Sequence, residues 1–173
     1  MVYIFDIYCR CIFLVIRLAT EKDIPAITQL LLSCTEDMAK NGMTHWLGVY
    51  DADSVAKNMK QKSVYVAVEN NSILGCVALG KHKADYYADC WPDAPEASFY
   101  LTQLAVSPTA QGQGLGKALV KFCIEKIGNK SLLLDAVDHY PALLIFYKKL
   151  GFEIIATGIG LGDKRHLFAY NLN

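Results

Sequence analysis

The chain reads as an α+β protein of three layers: a mixed, mainly antiparallel central sheet flanked by helices, with one parallel β-α-β crossover. Three observations predict this. Runs of β-branched and apolar residues are interleaved with stretches at helical spacing. Asn70-Asn71-Ser72 joins two of the strand-like runs as a hairpin. A single strand, helix and strand succession, from Phe99 to Asp135, has the form of a parallel crossover. At 173 residues the chain is long enough to bury a proper core, and residues 15–173 are expected to form one domain.

The elements follow from local chemistry. Ile16 to Ala19 is a short strand, and Thr20 with Asp23 three residues on is an acidic variant of the capping box that starts a helix. That helix runs to Lys40, where Asn41-Gly42 stops it, and the aromatic loop NGMTHWLGVY follows. A second helix spans Ser54 to Gln61, and SVYVAVE (63–69) and ILGCVALG (73–80) make the hairpin. Residues 84–97, with Asp85, Asp89, Asp93 and Glu96 among Tyr86, Tyr87 and Trp91, are expected to be loop. FYLTQLAV (99–106) is apolar on both faces, which suits a central strand, and Ser107-Pro108 ends it.

After Gln111-Gly112-Gln113-Gly114-Leu115-Gly116, the residues Leu115, Leu119, Phe122, Cys123 and Ile127 fall on one helical stripe that should pack on a sheet. Gly128-Asn129 terminates the helix. The remaining elements are a strand at Ser131 to Asp135, a helix at Pro141 to Leu150, and strands at Phe152 to Thr157 and Leu167 to Leu172.

Composition narrows the function classes. Seventeen Lys and Arg balance seventeen Asp and Glu, so the basic footprint of a nucleic-acid binder is missing. Asp6, Arg10 and Arg17 interrupt the apolar N-terminal run well short of the ~18 residues a spanning helix needs, so no membrane partner is expected. The same run lacks the layout of a signal peptide, and residues 1–14 are read either as an extra N-terminal strand or as a start codon placed too early. The six cysteines show no CxxC pair and no matching His spacing, so no metal site is expected; reduced thiols and a cytoplasmic location are.

The glycine-rich turn carries the chemistry. A turn of this kind opening a helix exposes unpaired N–H groups at the positive end of the helix dipole, and the natural guest is a phosphate. A P-loop requires G-x-x-x-x-G-K-[ST], yet Gln111 stands at its first glycine and Ala118 at its hydroxyl position. A dinucleotide fingerprint, G-x-G-x-x-G, started at Gly112 ends on Lys117, although Asp135 lies at nearly the right distance on the next strand, which keeps an NAD-binding or other nucleotide-binding reading open.

A third design fits: LAVSP followed by Gln111, Gly114 and Gly116 resembles the strand, small turn and [QR]-x-x-G-x-[GA] of the GCN5-related N-acetyltransferases, the GNAT family. A second motif agrees, since the family carries a Tyr four residues before Gly-Phe, and FYKKLGF supplies Tyr147 with Gly151-Phe152. The resemblance covers about residues 15–172.

The resemblance implies an acyl-CoA N-acyltransferase-like fold and transfer of an acetyl group from acetyl-CoA to a primary amine of a small molecule or peptide, without a metal, by direct attack in a ternary complex. It implies that the amides from Gly112 through Gln113, Gly114 and Gly116 to Lys117 hold the pyrophosphate, with Gln111 at the mouth of the loop. The edge of the strand from Leu104 to Val106 would bond the pantetheine arm, and a main-chain N–H near Leu104 or Ala105 would face the developing oxyanion. Tyr147 is the implied general acid. For the base, Glu96 comes first, His139 second and a water chain third.

His45 and Trp46 are candidates for lining the acceptor site, and the acidic, aromatic loop 84–97 suits a cationic amine. Where the family often carries Asn seven residues before the Tyr, this chain has Tyr140. A non-catalytic acyl-CoA sensor is the competing function. The apolar N-terminal segment is a candidate homodimer contact.

Overall fold

The computed structural model describes residues 14–172. The expectations for residues 1–13, including Cys9 and Cys11, lie outside the described residues.

Seven strands form one mixed sheet in the order β1-β2-β3-β4-β5-β7-β6. They are β1 (Val15–Leu18), β2 (Ser63–Glu69), β3 (Ser72–Gly80), β4 (Phe99–Val106), β5 (Leu132–Val137), β6 (Glu153–Gly160) and β7 (Asp163–Tyr170). The helices are α1 (Ile24–Lys40), α2 (Ala52–Gln61), α3 (Tyr87–Cys90), α4 (Leu115–Ile127) and α5 (Pro141–Lys149). β1 runs antiparallel to β2, and β7 runs antiparallel to both β5 and β6. β4 and β5 are the parallel pair that the crossover predicts. The order of the predicted elements and the α+β class therefore agree with the sequence.

Local chemistry fixes the boundaries. Asn70 and Asn71 have φ of 47° and 62°, the left-handed pair a type I′ hairpin turn requires and Asn tolerates. Leu161 and Gly162, at 53° and 84°, make the β6–β7 turn in the same way. At the start of α1, the Asp23 carboxylate accepts from the Thr20 N–H at 2.7 Å and the Thr20 hydroxyl at 2.9 Å. The same carboxylate receives both arms of the Arg17 guanidinium, at 2.7 and 2.8 Å. That pairing holds its pKa far below the ordinary carboxylate value.

Three elements differ from expectation. The loop 84–97 contains the short helix α3, and the hairpin strands are longer than predicted, with β6 running to Gly160 and β7 starting at Asp163. Gly158 and Gly160 lie inside β6, and a Cβ on Gly158 would fall 2.5 Å from the Cys90 carbonyl oxygen, so glycine there lets the 84–97 segment approach the strand.

The described chain gathers into two compact units. The first joins the chain up to Ala78 with Gln103–Phe122; the second joins Leu79–Thr102 with the chain from Cys123 onward. In the first, Ile27, Leu30, Leu31 and Cys34 of α1 and Val55 of α2 pack on Val64, Val66, Cys76, Ala78 and Ala105 of the sheet. At the typical area coefficient, each such fully buried Leu or Ile contributes about 2 kcal/mol. Tyr65 of β2 meets Phe122 of α4 edge to face at 5.0 Å. In the second, Tyr87 and Trp91 pack on Tyr100, Leu133, Leu167 and Ala169.

Candidate active site

The glycine turn belongs to the first unit. β4 ends at Val106, a 3₁₀ turn spans Pro108–Ala110, and residues 111–114 are exposed before Leu115 buries itself as the first residue of α4. Gly112 and Gly114 have φ of 76° and 82°, and a Cβ built on either would meet nothing within 4 Å. Glycine is therefore needed for backbone conformation, with no protein neighbour crowding it. The Gly114 carbonyl accepts from the Ala118 N–H at 3.0 Å, so the helical ladder begins there. The first-turn N–H groups have no partner within an α-helix of their own, and the dipole favours an anion beside them.

Two side chains brace the turn. The Gln111 amide donates to the Val106 carbonyl and the Gln113 amide to the Thr109 carbonyl, each at 3.3 Å. The Val106 carbonyl also receives the Cys34 thiol at 3.2 Å, and burial pushes that thiol up to about 11, so it stays protonated. Gln111 thus holds the end of the strand, and Lys117 is exposed. The chemistry of this donor set, exposed main-chain amides at a helix start with a lysine among them, fits a diphosphate.

β4 carries a feature that the residue alphabet hides. Gln103 sits in this strand at φ 56°, a left-handed conformation rare for a non-glycine residue, and is 8% exposed. Its neighbours Leu104 and Val106 are half-buried. Proline or glycine would have signalled the irregularity in the sequence; glutamine does not.

The second unit holds the remaining candidates. The β4–β5 ladder pairs Phe99 with Leu132 and Tyr100 with Leu133, while β5 continues to Val137. Tyr147 of α5 is 5% exposed, its ring edge-on to Phe146 at 5.1 Å and Phe152 at 5.8 Å and tilted against Phe168 at 5.6 Å. Burial first, and the Asp135 charge second, push its hydroxyl pKa well above the ordinary value. The proton is therefore held on oxygen across the physiological range.

Glu96 is exposed and committed to two partners: Lys83 Nζ donates to it at 2.6 Å and the Tyr100 hydroxyl at 2.9 Å. These bonds hold its pKa below the ordinary carboxylate range. His139 lies 3.9 Å from Asp163.

The aromatic loop is used differently from the expectation of a cation-holding rim. Tyr87 and Trp91 are core residues at 2% and 5% exposure. The Tyr86 and Tyr87 hydroxyls donate to one Asp135 oxygen at 2.6 and 2.9 Å, and Arg165 pairs with the other. Arg165 also stands 5.5 Å from the Tyr86 ring centre, so that ring already carries a cation. Asp85, Asp89 and Asp93 remain exposed. Sequence reasoning missed this buried network because Asp135 and Arg165 are 30 residues apart.

In the first unit, Trp46 packs edge to face on Tyr50 at 5.1 Å, and both rings lie against the α1–α2 core.

Comparison with known proteins gives the family and the fold. The acetyltransferase (GNAT) domain family matches residues 60–154. The chain is 28% identical over 156 residues to YesJ of Bacillus subtilis, an uncharacterized N-acetyltransferase, covering 84% of this chain and 87% of that one. It is 26% identical over 163 residues to the S-(2-succino)cysteine N-acetyltransferase of the same organism, covering 89% and 92%.

Among solved structures, a GNAT-family acetyltransferase from Streptococcus agalactiae superposes with a TM-score of 0.77 at 18% identity, over 91% of this chain and 94% of that one. yncA of Salmonella typhimurium, solved with its cofactor acetyl-CoA, gives 0.65 at 19% identity over 92% and 94%. The family match spans more than half of the chain, and with the glycine turn at the start of α4 it leads to one conclusion: this protein belongs to the GNAT family of acetyltransferases.

Proposed function

We propose that this acetyltransferase moves an acetyl group from acetyl-CoA to a primary amine of a small molecule or peptide, by direct attack in a ternary complex. The observation that carries the reading is the exposed turn at residues 111–114, whose left-handed glycines deliver main-chain amides to the start of α4. Acetyl-CoA, when bound, supplies the activated acyl group.

The main-chain amides from Gly112 to Lys117 would hold the diphosphate, and the edge of β4 from Leu104 to Val106 the pantetheine arm, as an added strand. A main-chain N–H at Leu104 or Ala105 stabilises charge as it develops on the carbonyl oxygen; one such donor is commonly worth about 3 kcal/mol. As the C–N bond forms and the C–S bond breaks, the Tyr147 hydroxyl gives its proton to the sulfur. The hydroxyl carries its proton at neutral pH and so is available as the donor.

Glu96 is the proposed acceptor of the proton lost from the amine. Its pairing with Lys83 keeps it ionised, so it draws an ammonium and passes the proton on instead of storing it. Asp85, Asp89 and Asp93, exposed on the same loop, would add to the attraction for a cationic acceptor. That one relative acetylates an amino-acid derivative supports an amine acceptor for this chain as well.

The test is thiol release from acetyl-CoA across a panel of primary amines. Amine-dependent release supports the reading. Binding of acetyl-CoA with no release from any amine would instead make the protein an acyl-CoA sensor, the state in which Tyr147 serves only as a packed ring.

A further inference from the structure

Within the first unit, the Gln103 side chain is buried and half-satisfied. Its Oε1 accepts from Asn58 Nδ2 of α2 at 3.1 Å. Its Nε2 is buried and has no hydrogen-bond partner among the described residues. The residue holds a left-handed φ of 56° in the middle of a strand, and its carbonyl receives the Cys76 thiol at 3.8 Å. A buried amide N–H with no acceptor is costly, and so is left-handed backbone at a non-glycine residue. Both occur at one residue, directly before the Leu104 to Val106 segment to which the cofactor arm is assigned.

The face on which this donor lies identifies its ligand. Gln103 reaches α2 through Asn58, on the side of the sheet where α1 and α2 pack. α4 covers the other side: a Cβ added at Gly75 would come within 3.0 Å of Leu119 and 3.4 Å of Leu115. The diphosphate turn opens α4, so a donor on the α2 side serves the second substrate. Trp46 and Tyr50 are packed against that same core, and burial, then the nearby Cys76, raise the Tyr50 hydroxyl pKa. The buried amide is therefore flanked by an apolar cluster, where a single hydrogen bond discriminates strongly.

We infer that Gln103 is a substrate-binding residue whose Nε2–H donates to a carbonyl or carboxylate oxygen carried by the acyl acceptor, so that the acceptors are amines of the amino-acid or amino-acid-amide type. Simple alkyl polyamines, which carry no carbonyl or carboxylate oxygen, are poor substrates on this account. The inference rests on the acetyltransferase reading and narrows its acceptor.

The experiment uses triplets: an amino acid, its carboxamide, and the amine left when the carboxyl group is removed. Steady-state kinetics are measured for each, with calorimetric Kd for the same compounds in the presence of coenzyme A. The expected result is a preference of about 10-fold or more in kcat/KM and Kd for at least one oxygen-bearing member over the plain amine. Which of the two is preferred separates a free carboxylate from an amide carbonyl.

Gln103→Ala should abolish the preference by raising KM for the oxygen-bearing member, with acetyl-CoA affinity unchanged, and Gln103→Asn should restore part of it. Asn58→Ala, which frees the amide oxygen but keeps the donor, should lower the preference less and serves if the Gln103 variants fold poorly. Equal kcat/KM across the triplets in protein that binds acetyl-CoA and releases thiol would overturn this inference alone. A Gln103→Ala effect confined to kcat and equal for all three compounds would also overturn it.

Discussion

At the scale of single residues, the account rests on where protons are held. Tyr147 has its hydroxyl pKa raised by burial, and Tyr147→Phe removes the donor while keeping the ring that packs on Phe152 and Phe168. We expect kcat to fall about 100-fold or more, the usual range for a lost general acid, with the calorimetric Kd for acetyl-CoA changed less than threefold. Wild-type turnover in this variant would remove Tyr147 from the chemistry.

Glu96 gives a test with a sign. Its carboxyl is held below the ordinary value first by the hydrogen bond from Lys83 and then by that from Tyr100. Lys83→Met removes the first, so the carboxyl pKa rises, and the acidic limb of the kcat/KM profile should move to higher pH. A limb that stays in place means that Glu96 anchors the loop and does not take the proton. Tyr147 is a candidate that the sequence offers because a tyrosine four residues before Gly-Phe is a spacing that letters record. The backbone conformation of Gln103 was not, because only glycine and proline advertise an unusual φ.

At the scale of elements, strands and long helices were readable from periodicity and caps, whereas the segment 84–97 was not. Its acids and aromatics suggest a solvated loop, yet α3 and the buried Tyr87 and Trp91 make it part of the second unit's core. Contacts distant in sequence decide this: the Asp135 carboxylate receives both tyrosine hydroxyls, and the β6 glycines let the segment approach. A Cβ at Gly158 would fall 2.5 Å from the Cys90 carbonyl oxygen and 3.0 Å from Trp91 Nε1, and main-chain oxygen cannot step aside cheaply. Gly158→Ala should therefore lower stability by about 1–3 kcal/mol, the common cost of overpacking, as read from urea unfolding. An unchanged midpoint would show that α3 is not tied to β6.

At the scale of the whole molecule, the order of the predicted elements and the parallel β4–β5 pair follow from the sequence because each run satisfies a local rule and the strand, helix and strand from Phe99 to Asp135 have the form of a crossover. What the sequence alone did not supply is the acceptor, since its recognition depends on which side chains converge from distant segments.

The central claim is that the turn opening α4 holds a coenzyme A diphosphate, and titration calorimetry of the purified, folded protein with acetyl-CoA tests it most directly. Gly114→Val forces a β-branched residue onto a φ of 82° at a position where its Cβ meets nothing within 4 Å, so it should disturb the turn with little effect on the core. The account predicts saturable binding of one acetyl-CoA per chain by the wild type and a Kd at least about 10-fold weaker in the variant, as expected when main-chain donors leave a charged ligand. Absence of binding heat from folded wild-type protein over a range of temperatures, or equal affinity in the two proteins, would contradict it.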